Sequence, residues 1–168
     1  MTNIFIIGMM GSGKSYLGKL LSDKISLPLF DIDSEIEKIM NISIDEIFNN
    51  YGEERFRLIE SALFKEMVKG KNHIYSTGGG IILDPLNQKI LKKKGFCFFL
   101  DCPIDVIIHR IERDKINRPV FKNRVSLELI YKKRKPLYLE CADYVIDVND
   151  KKPSQIIQEI EKMINEQN

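Results

Sequence analysis

Gly8-Met9-Met10-Gly11-Ser12-Gly13-Lys14-Ser15 sits between an apolar run, Ile4-Phe5-Ile6-Ile7, and a stretch with helical character, Tyr16-Leu17-Gly18-Lys19-Leu20-Leu21. The run reads as a buried strand and the stretch as a helix. The G-x-x-x-x-G-K-S string therefore lies on a strand-to-helix turn, the setting in which it binds phosphate. Glycines there let successive backbone N–H groups close around phosphate oxygens, and the helix N-terminus adds partial positive charge. Gly11, Ser12 and Gly13 form the cradle, Lys14 is spaced to reach β- and γ-phosphates, and Ser15 offers a hydroxyl to Mg²⁺. A turn that only caps a helix would not need the lysine, the hydroxyl and both flanking elements together.

Outward from this loop the chain alternates apolar runs with helical patterns. Strands are expected at 3–8, 29–33, 74–76, 96–100 and 144–147. Helices are expected at 14–25, 34–40, from Ser43 to about Asn50, 53–69, 85–94, 103–113 and 126–140, with Pro153 opening a last one. Ser34 with Glu37 and Ser43 with Glu46 read as capping boxes, Asp84 as an N-cap, and Gly95 as a helix stop. Residues 114–123 lack apolar periodicity, carry several basic groups and a proline, and read as a mobile loop. Short strands that are apolar on both faces and alternate with helices predict an α/β fold: a five-stranded parallel sheet flanked by helices. In such sheets ligands bind at the carboxyl ends of strands. The phosphate loop, Asp31, Asp33, Gly78–Gly80 and Asp101 all fall there.

Composition narrows the class. The chain has 168 residues, 43% hydrophobic and 30% charged, which fits one globular domain. A net charge of +2 argues against a dedicated nucleic-acid surface, and no apolar run is long enough to span a membrane. The N-terminus runs straight into a strand, without the pattern of a secretory signal. Cys97, Cys102 and Cys141 form no C-x-x-C pair, so reduced thiols in a cytoplasm are expected, and zinc is not. His73 and His109 are read as surface or strand-end residues.

Several residues carry chemistry. Asp31 and Asp33, two apart at a strand end, should leave on the same face beside the phosphates. One suits hydrated Mg²⁺, the other a hydrogen bond from an attacking hydroxyl. Arg57 and Glu60 share a helix face, so Glu60 can orient a guanidinium suited to a carboxylate. A solvated i,i+3 pair is the commoner outcome of that spacing on the residues alone. Gly78-Gly79-Gly80 permits close backbone approach to a ligand, or is a loose turn. Arg118-Pro119 in the basic loop would bring a cation over a γ-phosphoryl group on closure, or is simply solvated. Arg134, within Lys132-Lys133-Arg134-Lys135, is ambiguous, because charge runs on helices usually face water.

Taken together, the phosphate loop at 8–15, D-x-D at 31–33, G-E-x-x-F-R-x-x-E at 52–60, the triple glycine at 78–80, R-P at 118–119 and R-x-P-L-Y at 134–138 resemble shikimate kinases over nearly the whole chain. The resemblance implies a nucleoside-monophosphate-kinase-like three-layer fold with sheet order 2-3-1-4-5. It also implies a shikimate-binding subdomain at about 33–61 and a lid at about 112–124. The implied reaction is phosphoryl transfer from ATP to the 3-hydroxyl of shikimate, with Mg²⁺, in a cytoplasmic monomer without nucleic-acid or membrane partners. By the same resemblance Asp33 contacts shikimate hydroxyls and is the candidate base, and Asp31 lies near hydrated Mg²⁺ with Ser15. Arg57 and Arg134 clasp the shikimate carboxylate beside Gly79 and Gly80. Arg118 is the lid arginine on the phosphates, Arg110 stacks on adenine, and Pro153 lies near that pocket. Tyr16 completes the nucleotide loop but departs from the small hydroxyl residue usual there. Val120 and Phe121 are bulkier than the usual lid residues. Rival readings are a gluconate or nucleoside-monophosphate kinase, which would not call for arginines at both 57 and 134, and a non-catalytic nucleotide-binding module.

Overall fold

Five apolar runs become five parallel strands in a computed structural model that describes residues 2–114 and 123–166. The strands are β1 (Asn3–Ile7), β2 (Leu29–Asp31), β3 (Ile74–Ser76), β4 (Gly95–Asp101) and β5 (Tyr144–Asp147), in the order β2-β3-β1-β4-β5. Both the parallel sheet and the 2-3-1-4-5 order agree with expectation. β1 lies at the centre, pairing Ile4 with Ile74 on one side and Phe96 on the other. All its residues are buried. Asn3 is the polar exception, and its amide is satisfied by the Gly70 carbonyl and the His73 N–H.

Seven α-helices complete the layers: α1 (Lys14–Ile25), α2 (Ile32–Met40), α3 (Ile44–Met67), α4 (Pro85–Lys93), α5 (Ile104–Asp114), α6 (Arg124–Cys141) and α7 (Pro153–Asn165), among the described residues. α3 is two helical segments joined at Gly52, whose φ of 79° and ψ of 169° break the helix. The expected boundary between a helix ending near Asn50 and one starting at Glu53 is this break.

Aromatic rings tie the layers together. Phe5 stacks on Tyr75 at 5.5 Å and meets Phe64 of α3 edge-on. Phe99 of β4 stacks on Tyr138 of α6 at 5.0 Å, which fixes α6 against the sheet close to the site. Cys97, Cys102 and Cys141 are buried free thiols. His73 is half-buried at the start of β3, and His109 is exposed on α5. No helix among the described residues is long and apolar enough to cross a membrane.

The structure departs from the sequence expectations at the start of α2 and at Gly95. β2 ends at Asp31, and α2 begins at Ile32 with Asp31 as its N-cap, whose Oδ1 accepts from the Ser34 N–H at 3.2 Å. Ser34 is thus inside the helix, not its cap. Glu37, expected to complete a box with Ser34, instead accepts from the Ile44 N–H at 2.9 Å and ties α2 to the start of α3. Gly95 is the first residue of β4 rather than part of the helix stop, and a Cβ on it would lie 2.1 Å from the Asn3 carbonyl oxygen. Its bare backbone lets β4 lie beside β1.

Candidate active site

The segments that follow the carboxyl ends of all five strands surround one cavity of about 510 Å³. Gly11, Ser12, Gly13, Lys14, Ser15 and Tyr16 line it from the loop after β1, Asp33 from the first turn of α2, and Thr77 and Gly79 from the turn after β3. Arg110 and Pro153, on α5 and α7, also line it. The structure thus gathers ten of the sequence-predicted residues around a single space. Ile111, Arg113, Val148, Lys151 and Ile156 complete the wall and were not singled out from sequence. They come from α5, α7 and the segment after β5, and no motif marks them.

The phosphate loop is tight and internally braced. Lys14 is 8% exposed, and its Nζ donates to the Met9 carbonyl at 2.9 Å. Arg110 Nη1 donates to the Gly11 carbonyl at 3.0 Å, pinning α5 to the loop. The Ser15 hydroxyl donates to Asp31 Oδ2 at 2.5 Å and lies 3.4 Å from the Ser76 hydroxyl. That set is all oxygen and includes a carboxylate, the donor chemistry Mg²⁺ prefers. No cluster of three or more His, Cys, Asp or Glu side chains among the described residues could hold a metal alone. Few protein ligands with the remainder from phosphates and water is the usual arrangement for Mg²⁺ at a nucleotide site. Asp31 and Asp33 both serve this region, but not by sharing a strand face: Asp31 is the last strand residue and Asp33 reaches the cavity from a helix.

Two guanidinium groups lie beside this cavity. Arg57 Nη1 donates to Glu60 Oε2 at 2.7 Å, and the Glu60 side chain is 1% exposed. The pair is therefore not the solvated one that its spacing suggests. Burial pushes the Glu60 carboxyl up, and the Arg57 charge pulls it back down. Burial alone would lower Arg57, but Glu60 and then Glu53 outweigh it and hold the guanidinium charged. A Cβ on Gly80 would lie 2.2 Å from Arg57 Cζ, so any side chain there would push the guanidinium out of its place. Arg134 is 5% exposed, while its neighbours Lys132 and Lys133 face water. The basic run on α6 thus splits into a solvated part and one inward arginine.

Arg134 Nη1 donates to the Gly79 carbonyl at 3.2 Å, and the Tyr138 hydroxyl donates to the same oxygen. Burial keeps the Tyr138 phenol well above its ordinary value, so it remains a donor. Gly79 links two parts of the site: its carbonyl is held from α6 while the residue lines the phosphate-loop cavity. Glu53 Oε1 accepts from Arg57 Nη2 at 3.2 Å and lies 4.0 Å from Arg134 Nη2. Tyr138 and Glu53 occur within the quoted motifs, yet sequence gave them no role. Their positions depend on how α6 and the Gly52 break are oriented. Arg118 and most of the expected lid lie outside the described residues.

The family model for shikimate kinase matches residues 10–165. A shikimate kinase of Persephonella marina is 39% identical over 160 residues, covering 95% of this chain and 97% of that protein. The solved structure of the shikimate kinase from Acinetobacter baumannii in complex with shikimate is similar with a TM-score of 0.94 and 33% identity, covering 100% of this chain and 95% of that one. A deoxyadenosine kinase from M. mycoides with bound dCTP, at 16% identity and a TM-score of 0.68 over 98% of this chain and 99% of that one, shares the fold alone. Likeness of this extent in sequence and in backbone, on top of the motifs gathered around one cavity, makes the chain a member of the shikimate kinase family.

Proposed function

We propose that the chain transfers the γ-phosphoryl group of ATP to the 3-hydroxyl of shikimate, giving ADP and shikimate 3-phosphate, as a monomer in the cytoplasm. The observation that carries this reading is Gly79. It joins the phosphate-loop cavity to the buried Arg134, and the adjacent Gly80 packs on Arg57, so one ligand can present a hydroxyl to the cavity and a carboxylate to the two guanidinium groups.

The roles follow from the chemistry of each group. Arg57, braced by Glu60, and Arg134, braced by Gly79, are charged, oriented donors for the shikimate carboxylate. Together with Gly79 and Gly80 they fix the ring, and residues of about 33–61 form the face it meets. Asp33 accepts a hydrogen bond from the 3-hydroxyl and aims its oxygen at the γ-phosphorus. The new O–P bond forms as the bond to the β–γ bridging oxygen breaks, and the hydroxyl proton leaves on the Asp33 side. Positioning supplies most of the acceleration, because phosphoryl transfer asks little covalent chemistry of the protein.

Gly11, Ser12 and Gly13 offer backbone N–H groups to the phosphates, Lys14 meets the β- and γ-oxygens, and Tyr16, Arg110 and Pro153 border the base and sugar. Ser15, and Asp31 through water, would hold Mg²⁺, which neutralises charge on the β- and γ-oxygens when bound. Arg118, outside the described residues, keeps the role that the family resemblance gives it, as a cation on the phosphates within a lid of about 112–124.

An acceptor panel tests the reading: ADP formation from Mg-ATP with shikimate, gluconate, a nucleoside monophosphate or no acceptor. Shikimate should raise the rate by at least about 100-fold over the other arms, the scale of a well-placed acceptor. Equal rates with and without shikimate would overturn the proposal.

A further inference from the structure

Glu53 sits against the outward edges of both guanidinium groups. One oxygen, Oε1, accepts from Arg57 at Nη2 (3.2 Å) and Nε (3.4 Å) and lies 4.0 Å from Arg134 Nη2. The remaining arms of these arginines are already turned inward, to Glu60 and to Gly79. What each guanidinium still presents is the edge that meets Glu53. The two arginines and the two glutamates also balance in charge. A further carboxylate added to that set would leave it net negative, with Asp33 already acting on Glu60.

The neighbouring groups differ in how easily they could give way. Glu60 is 1% exposed, packed and braced, whereas the Glu53 side chain is 49% exposed. Glu53 directly follows the helix break at Gly52, and nothing lies within 4 Å of where a Gly52 side chain would point. It is the first residue after the break, where an acidic side chain also suits a helix N-terminus. It can therefore swing into water without disturbing packing.

We propose that Glu53 is an internal carboxylate that holds Arg57 and Arg134 in place before substrate arrives and is exchanged for the substrate carboxylate on binding. This rests on the reading of those two arginines as the carboxylate clasp. The exchange replaces one carboxylate with another, so the clasp keeps its charge balance and its geometry in both states. Glu53 is then a specificity-determining residue: an acidic acceptor competes for the two guanidinium groups, and a neutral one does not.

The test is Glu53→Gln, nearly isosteric and half-exposed, with Glu53→Ala beside it. Steady-state kinetics are run with shikimate and with its primary-alcohol analogue, in which the carboxylate is reduced. Because an exposed ion pair holds the competing carboxylate, both variants should lower KM for shikimate by about two- to fivefold, with kcat/KM rising to match. KM for the alcohol analogue should move much less. A KM for shikimate that stays or rises in both variants would overturn the exchange and make Glu53 a plain brace for Arg57. Equal gains on acid and alcohol would overturn it too. Arg57→Ala, measured in parallel, separates the two levels. If it leaves KM for shikimate unchanged, the clasp itself is wrong and the exchange falls with it. If it raises KM while Glu53→Gln fails to lower it, only the exchange is wrong.

Discussion

At Arg57 burial and charge pull in opposite directions, and the resolution of that conflict explains its neighbours. A guanidinium this enclosed must be paired or it loses its hydration for nothing. Glu60 supplies a 2.7 Å partner from one helical turn away, and Gly80 supplies the room. The result is a fixed cation whose remaining edge faces the half-exposed Glu53 carboxylate and has the shape to recognise a planar anion. Arg57→Ala should therefore raise KM for shikimate strongly, by a loss of about 2–5 kcal/mol, since truncation also leaves Glu60 buried without its cation. Initial-rate kinetics over a wide shikimate range check this, and an unchanged KM would leave Arg57 only a structural partner of Glu60. The Arg57–Glu60 pair was legible as a spacing on a helix, but its burial was not. Burial depends on Gly80, more than twenty positions away in sequence and brought in by the turn after β3. Arg134 was hidden for a similar reason: its lysine neighbours look identical in sequence, and only the docking of α6 on β4 through Phe99 and Tyr138 decides which of them turns inward.

Elements were legible where a local signal dominates. The Ser43–Glu46 box is present in both directions: the Ser43 hydroxyl accepts from the Glu46 N–H at 3.2 Å, and Glu46 accepts from the Ser43 N–H at 2.8 Å. Ser43→Ala should lower Tm by about 2–4 °C, the effect of losing one N-cap in a domain of this size. The Ser43 backbone and hydroxyl bonds lower the Glu46 value below that of an ordinary carboxyl. Their stabilising effect is thus present above the ordinary carboxylate range and lost as pH falls through the lowered folded value. Across that acid range the gap between variant and parent melts should narrow without closing, because the Ser43 hydroxyl loses the Glu46 carboxylate but keeps the Glu46 N–H; a gap that widens there would contradict the box. The Ser34–Glu37 signal looked the same and failed. Asp31 stands three residues ahead of Ser34 and caps the same helix, and the apolar Ile32 made β2 look longer than it is. The break at Gly52 was marked by its glycine, yet the direction in which it sends Glu53 was not, because that depends on how two helical segments pack.

At the scale of the molecule the architecture follows from a few constraints. Apolar strands must be covered on both faces, parallel strands need helical crossovers, and the central strand β1 delivers its loop to the carboxyl edge where ligands bind. The alternation of strand and helix was legible from apolar runs alone, and the strand order came from the family resemblance carried by motifs along the chain. The outcome is one cavity with a phosphate loop at its floor and a pair of inward arginines beside it, Arg134 held on the Gly79 carbonyl. On the proposed roles, such a site should select one hydroxyl of a polyhydroxylated acid, with Arg57 and Arg134 fixing the ring while Asp33 and the loop fix the line of attack. Locating the transferred phosphate tests this most directly. Product formed from shikimate and Mg-ATP would be isolated and its phosphorus–proton couplings read by NMR. A single ester at the 3-hydroxyl is expected; phosphate on another hydroxyl, or ATP hydrolysed with shikimate recovered unchanged, would contradict the proposed transfer.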